Sequence, residues 1–503
     1  MNKIKVLMTA SECYPIAKAG GLGDVLNSLP RGLVKEGVEI KIIMPRYKFI
    51  DKKYSGKLFM KNIKTTIKNK TIYFNVYKTK LYGTDIEILL IDNKLLKTDE
   101  IYVGTRKYMK GSVKGRYSRI EKDIKRFTLF SKLIMDFLMK SKWQPDIIHC
   151  HDWHTALLPN LIDEYYFKNK INKHYKTLLT IHNLASQGIT NLNILKYAEL
   201  ENSNLPAILE DKLDDNRINI LKLGILSADL ISTVSPTYSK EILTKEYGVG
   251  LENYLKRRKN DLFGILNGID EDLFNPNQDN ALKKKYSVKN IILGKKVNKK
   301  YLQKKLNLKQ DENIPLFGLT SRLVKQKGID VLVKAIKIEF DRVRLKNLKK
   351  IRNKKDFQVV ILGSGQKKIE NELINLEKKY PDRISVNIKY DAKFAQQIYA
   401  GCDFFLMPSN FEPCGLGQMI ALKYGTLPIV RLTGGLKDTI VNFKNGFTYQ
   451  NQKSENLVRT MQTAINTFKN KKKMQNMIRY GMKQDFSWKQ SAKKYIKLYK
   501  KLI

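Results

Sequence analysis

The sequence predicts an α/β protein of two doubly wound, Rossmann-like domains. Three observations predict it: short apolar runs alternate with helical stretches, glycine-containing turns follow several runs, and polar residues suited to chemistry gather where the runs end. The first series comprises Ile4–Ala10, Val38–Met44, Asp146–Cys150, Thr177–His182 and Leu230–Ser235, with a helix after KAGGLGDV (18–25) that ends near Gly37. Each run reads as a parallel strand buried on both faces, because apolar residues follow one another without polar alternation. The second series comprises Pro315–Ser321, Phe357–Leu362, Ile384–Asn387, Phe404–Pro408 and Leu427–Val430. A strand-like FGILNG (263–268) closes the first series, and residues 276–313 are Lys- and Asn-rich and helical in parts. These signals divide the chain into residues 1–262, residues 263–482 and a C-terminal helix within 483–503. That helix carries Trp488, Ala492, Tyr495, Ile496 and Tyr499 on one face, so it docks on a core.

Composition removes several classes. Hydrophobic residues make up 42% of the 503, enough for sizeable cores and too many for a disordered chain. There is no apolar run long enough to span a membrane. The start reads as a first strand rather than a leader peptide. Cys13, Cys150, Cys402 and Cys414 are far apart and form no CxxC pair, which fits a reducing cytoplasm and argues against a disulfide framework. The net charge of +46 invites a polyanion-binding reading. Against it, the lysines are spread end to end on polar helix faces (345–355, 469–473, 493–501), and no basic stripe interleaves with stacking aromatics. A solvated basic surface is the reading adopted, with nucleic acid not expected as a partner.

The chemistry-bearing residues lie beyond strand ends, where open α/β sheets bind ligands; two domains presenting such ends to each other would form a cleft. In KAGGLGDV, Gly20 and Gly21 precede a helix and allow close approach of an anion, with Lys18 as a point charge. An ordinary βα turn would read the same way. HCHDWH (149–154) leaves three readings open: a metal site, histidines hydrogen-bonded at a strand end, or a sugar-binding wall in which Trp153 offers an apolar face and Asp152 accepts hydroxyls. SRLVKQKG (321–328) places Arg322 and Lys327 across a strand-to-helix turn, a pair suited to a diphosphate. NFEPCGLGQ (410–418) puts Glu412 before a turn through Gly415 and Leu416, and RLTGGL (431–436) adds a second such turn at Thr433, Gly434 and Gly435.

In their order these blocks, with TIHNLASQG, SADLISTVSPTYSKEI, GILNGID and DFSW, make the chain resemble the bacterial glycogen synthase and plant starch synthase family, glycosyltransferases of the GT-B fold. The resemblance runs nearly end to end. It implies retaining transfer of glucose from ADP-glucose to the non-reducing end of an α-1,4-glucan, without a metal or other cofactor, and a last helix that returns to the first domain. It further implies that Lys18, Arg322 and Lys327 contact the donor diphosphate, and that His182 lies near the transferred glucose while Glu412 holds its hydroxyls. Asp152 and Trp153 match the sugar wall, Asn267 an inter-domain position near the donor, Tyr390 a place beside the adenine, and Gly434 and Gly435 the diphosphate turn. Three departures stand out: Ser186 where the family usually has Tyr, Gly417 where it usually has Thr, and a poorly fitting stretch from Thr190 to Asp215. Restoring threonine at Gly417 is expected to tighten donor use, unless that glycine has positive φ.

Overall fold

A computed structural model describes residues 3–103, 113–212, 216–348 and 357–503. The strands in chain order are β1 (Lys5–Thr9), β2 (Glu39–Pro45), β3 (Lys57–Ile67), β4 (Lys70–Lys80), β5 (Glu87–Asp92), β6 (Ile147–His151), β7 (Lys176–Ile181), β8 (Ile189–Asn191), β9 (Arg217–Asn219), β10 (Leu230–Thr233) and β11 (Leu262–Gly264). They continue with β12 (Leu316–Thr320), β13 (Gln358–Gly363), β14 (Ile384–Ile388), β15 (Phe404–Met407), β16 (Leu427–Arg431) and β17 (Phe447–Tyr449). One nine-stranded sheet has the order β11-β10-β7-β6-β1-β2-β5-β4-β3, a six-stranded sheet runs β14-β13-β12-β15-β16-β17, and β8 pairs with β9. The six-stranded sheet is parallel throughout, and so is the nine-stranded sheet from β11 to β5.

The polypeptide divides into two compact units, Met1–Gly268 with Trp488–Ile503, and Ile269–Ser487. The divisions fall after residues 268 and 487 rather than 262 and 482. Leu262–Gly264 pairs with β10 and so completes the first sheet, and Trp488 opens the final helix. Val6, Leu7 and Met8 of β1 are wholly buried, as a strand covered by helices on both faces requires.

The β3–β4 hairpin is absent from the reading of the sequence. It is antiparallel and sits at the sheet edge, and only part of each strand (Ile63, Thr65 and Ile67; Phe74 and Val76) turns buried residues inward between more exposed ones, so neither forms an apolar run. Its two-residue turn, Lys68–Asn69, has φ of 48° and 61°, the left-handed pair of a type I′ turn without the glycine that usually announces one.

The final helix, Trp488–Leu502, buries Trp488, Ala492, Tyr495, Leu498 and Tyr499 against the core of the first unit; Ile496 is half-buried at the margin. Its polar face carries exposed Lys493, Lys494, Lys497, Lys500 and Lys501, and residues 469–473 are exposed too. The 345–355 face lies outside the described residues. The helix packs on Gly21–Lys35, where a Cβ on Gly32 would stand 3.1 Å from the Trp488 carbonyl oxygen and 3.3 Å from Ala492 Cβ. Gly32→Val should therefore push the two helices apart and lower stability by about 1–3 kcal/mol, read as a reduced urea midpoint.

Candidate active-site residues in each unit

In the first unit, β1 leads into Glu12 and the glycine-rich turn. Glu12 Oε2 accepts hydrogen bonds from the Ala19 and Gly20 amides, both at 2.7 Å, and Oε1 accepts from the Tyr102 hydroxyl at 2.5 Å. The amide of Gly20 is thus directed to the Glu12 carboxylate. Lys18 Nζ lies 2.6 Å from Asp24 Oδ1 and over the Tyr14 ring. Gly21, the first residue of the helix, has nothing within 4 Å of where a Cβ would stand. Tyr102 in turn stacks on His154, centroids 5.1 Å apart.

His149 and His151, two apart in β6, share one face of the sheet with ring centroids 4.2 Å apart, and His154 lies beyond the strand. His149 points back into the core, where Nδ1 meets the Tyr499 hydroxyl at 2.8 Å and Nε2 meets Thr180 Oγ1 at 2.6 Å. His151 Nδ1 lies 3.0 Å from His182 Nε2. Burial holds His149, His154 and His182 near a pKa of about 3, so these rings are neutral at pH 7. Among the described residues no group of three or more His, Cys, Asp or Glu side chains could hold a metal ion.

Asp152 adopts φ 55°, which turns its carboxylate back across the sheet end so that Oδ1 accepts from the His182 amide at 2.7 Å and the Asn183 amide at 3.4 Å. Burial raises its pKa to about 7 against the pull of those amides. Trp153 is buried, edge-on to Phe127 and tilted on His154, so it lines the core and offers no open face to a sugar. Oδ1 of Asp152 thus orders backbone, and Trp153 packs in the core. Asn267 follows β11, buried, with no partner for Oδ1 among the described residues.

In the second unit, Arg322, Lys327, Glu412, Gly415 and Leu416 line one hollow of about 200 Å³ together with Thr320, Tyr399 and Ser409. Lys327 Nζ is 2.5 Å from Glu412 Oε2, which also accepts from Ser409 Oγ at 2.9 Å; Glu412 is 6% exposed. Arg322 is exposed and makes a long contact of 3.5 Å to Gln326. The TGGL turn lies behind this hollow: the Gly435 amide donates to the Glu412 carbonyl, and a Cβ on Gly434 or Gly435 would stand 2.0 Å from the carbonyl oxygen of Glu412 or Cys414. Its glycines let that backbone settle against the Glu412 loop, and Thr433 is buried there. Tyr390 is 83% exposed and does not line the hollow.

Residues 5–257 match the family model for the starch synthase catalytic domain, and residues 298–484 that for glycosyl transferases group 1. The glycogen synthases of Fervidobacterium nodosum and Clostridium beijerinckii are each 39% identical to this chain, over 99% of it and 99% of their own length. The chain belongs to the glycogen and starch synthase family. Among solved structures, the catalytic domain of starch synthase IV from Arabidopsis thaliana, bound to ADP and acarbose, superposes with a TM-score of 0.85 at 31% identity, covering 99% of both chains. Sucrose-phosphate synthase from Thermosynechococcus elongatus, at 16% identity and a TM-score of 0.57, shares the GT-B fold. The assignment favours a synthase over the polyanion-binding alternative.

For this synthase, sequence reasoning missed Glu12, Tyr102 and Ser409. Glu12 had a signal: a carboxylate just past a strand end and before a glycine-rich turn, where it accepts amides as an external anion would. Ser186 is exposed after β7, and the 190–215 stretch forms β8 and short helices up to Lys212.

Gly417 starts the helix Gly417–Lys423 and does not have positive φ, so backbone strain is no bar to threonine there. Space is the obstacle. A Cβ would stand 3.0 Å from Phe405 Cε1 and 3.4 Å from the Tyr399 hydroxyl. Gly417→Thr is accordingly expected to lose about 1–3 kcal/mol and gain nothing in donor use. In a Phe405→Leu background the same threonine should cost less, a coupling that a double-mutant cycle of melting temperatures measures.

Asp152 also sets a pH dependence. Its pKa is raised from 3.8 to about 7 on folding, so its contribution to stability is full below pH 4 and is lost as pH rises towards 7. Asp152→Asn removes that loss, and between pH 4 and 7 its stability relative to the parent should rise by roughly 1–4 kcal/mol in denaturant titrations.

Proposed function

We propose that the chain transfers glucose from ADP-glucose to the non-reducing end of an α-1,4-glucan, with retention at the anomeric carbon and without a metal ion. The observation that carries this reading is the Lys327–Glu412 pair in a hollow flanked by Arg322. The leaving nucleoside diphosphate accumulates negative charge in the transition state. Arg322 binds its oxygens by the guanidinium fork and Lys327 as a point charge, supplying the neutralisation a divalent ion would otherwise provide. Donor binding draws Lys327 from Glu412 to phosphate. The carboxylate, an acceptor-only group still held by Ser409, is then released to take donor sugar hydroxyls.

ADP as the nucleotide is supported by the ADP that the Arabidopsis starch synthase binds, and the exposed ring of Tyr390 is available to stack on the adenine. In the first unit, neutral His182 and the cation of Lys18 are assigned to the glucose and the diphosphate. Long glucan is the acceptor, as the names of the relatives suggest.

The test is incorporation of radiolabelled glucose into precipitated glycogen, with ADP-glucose and UDP-glucose compared. ADP-glucose should be the better donor. Lys327→Ala should lower kcat/KM by about 10- to 150-fold, the worth of a charge-assisted hydrogen bond, and Glu412→Ala should fold but lose nearly all transfer. EDTA should leave the rate unchanged; inhibition reversed by a divalent cation would overturn the metal-free part of the reading.

A further inference from the structure

The residue behind His182 is unusual in its hydrogen bonding. His151, the last residue of β6, is fully buried, and its ring lies edge to edge with that of His182, centroids 5.3 Å apart and planes 29° apart. Its Nδ1 meets His182 Nε2 at 3.0 Å, whereas its Nε2 is buried with no hydrogen-bond partner among the described residues. The His151 ring also lies against His149, centroids 4.2 Å apart, whose two ring nitrogens are both engaged elsewhere, by Tyr499 and Thr180.

Two neutral imidazoles joined by one hydrogen bond can place their protons in two ways. If His182 Nε2–H donates, His151 must carry its own proton on Nε2, an N–H buried without an acceptor. If His151 Nδ1–H donates, the atom left over is a bare ring nitrogen and every N–H of the pair can be used. Orphaned buried donors are the rarer of the two in folded proteins. We infer that His151 is a positioning residue: it donates from Nδ1 to His182 Nε2 and so fixes His182 as the Nδ1–H tautomer. With its Nε2 occupied, His182 has one group left to offer a substrate, an N–H donor at Nδ1 directed away from the pair.

Burial keeps both rings uncharged, which makes the choice one of tautomer and not of ionisation. Asp152 holds the backbone of the same strand end by accepting the His182 amide, so main chain and ring are each anchored from β6 and its following turn. The significance for the reaction rests on the proposed function, in which His182 meets the transferred glucose: a fixed N–H donates to a hydroxyl oxygen, and a wandering tautomer does so only part of the time.

The chain has five histidines, few enough for long-range ¹H–¹⁵N spectra of histidine-labelled protein to be assigned, the His182 signals being those lost in His182→Gln. In the parent protein His182 should show a protonated Nδ1 and a bare Nε2. His151→Leu, which has no donor, should give a mixture of His182 tautomers and reduce kcat about 10-fold with little change in donor KM, as loss of one oriented hydrogen bond does. His151→Asn, whose amide nitrogen stands in for Nδ1–H, should restore the single tautomer and most of the rate.

A protonated Nε2 on His182 in the parent overturns the inference, as does a folded His151→Leu protein with the parent tautomer and kcat. If His151→Leu does not fold, the parent spectrum alone decides. The spectra need no substrate, so failure of glucose transfer would overturn the proposed function while leaving the tautomer result standing.

Discussion

A parallel strand covered on both faces can hold a polar side chain only where a buried partner meets it, as Thr180 meets His149, or at its end, and the rest of this structure follows from that constraint. β1 is apolar from Val6 to Met8, ends in Thr9 and then delivers Ser11 and Glu12; β6 ends in His151 and is followed by Asp152, and β7 is followed by His182. In the second unit β12 is followed by Arg322 and β15 by Ser409 and Glu412. The sheet excludes water from everything behind these residues. Their hydrogen bonds are therefore made to one another, and each group reaches a ligand already oriented.

The same constraint explains what could be read beforehand. Interior parallel strands are legible because burial on two faces forces an unbroken apolar run, and the ten runs of the two series are present within a residue or two; β5, with its buried ILLI run, is an interior strand that the reading omits. The β3–β4 hairpin was hidden because one of its faces is wet and its turn uses Lys68 and Asn69 where a glycine would have signalled it. At the site, residue types were legible but directions were not. Gly20 looked like an anion cradle, yet Glu12 takes its amide; Trp153 looked like a sugar platform, yet it packs in the core on Phe127 and His154. Those outcomes depend on which groups from distant strands arrive beside them, and no local pattern encodes that. Lys327 and Glu412 are 85 residues apart and meet because β12 and β15 are neighbours.

Glycine has a packing role that a motif reading assigns to phosphate. Gly328 adopts φ 65°, and a Cβ there would stand 1.8 Å from the Pro408 carbonyl oxygen; Gly434 and Gly435 are equally confined against the Glu412 loop. Three segments far apart in the chain are thereby brought to backbone contact around the Lys327–Glu412 pair. Any side chain at these positions would move the carboxylate or the lysine, which is reason enough for glycine with no ligand present.

The final helix has a consequence for the order in which this molecule comes into being. Trp488, Tyr495 and Tyr499 belong to the same core as Val6, Met8 and Leu22, and Tyr499 holds His149. On a ribosome the first unit emerges first but lacks a wall of its core until residues 488–502 have been made. The second unit, an insertion continuous in sequence from Ile269 to Ser487, has all its strands before then. The part synthesised first is thus the part completed last. Throughout translation of the insertion an apolar surface on the helix Gly21–Lys35 waits for its cover, and a chain broken anywhere before Trp488 never receives it.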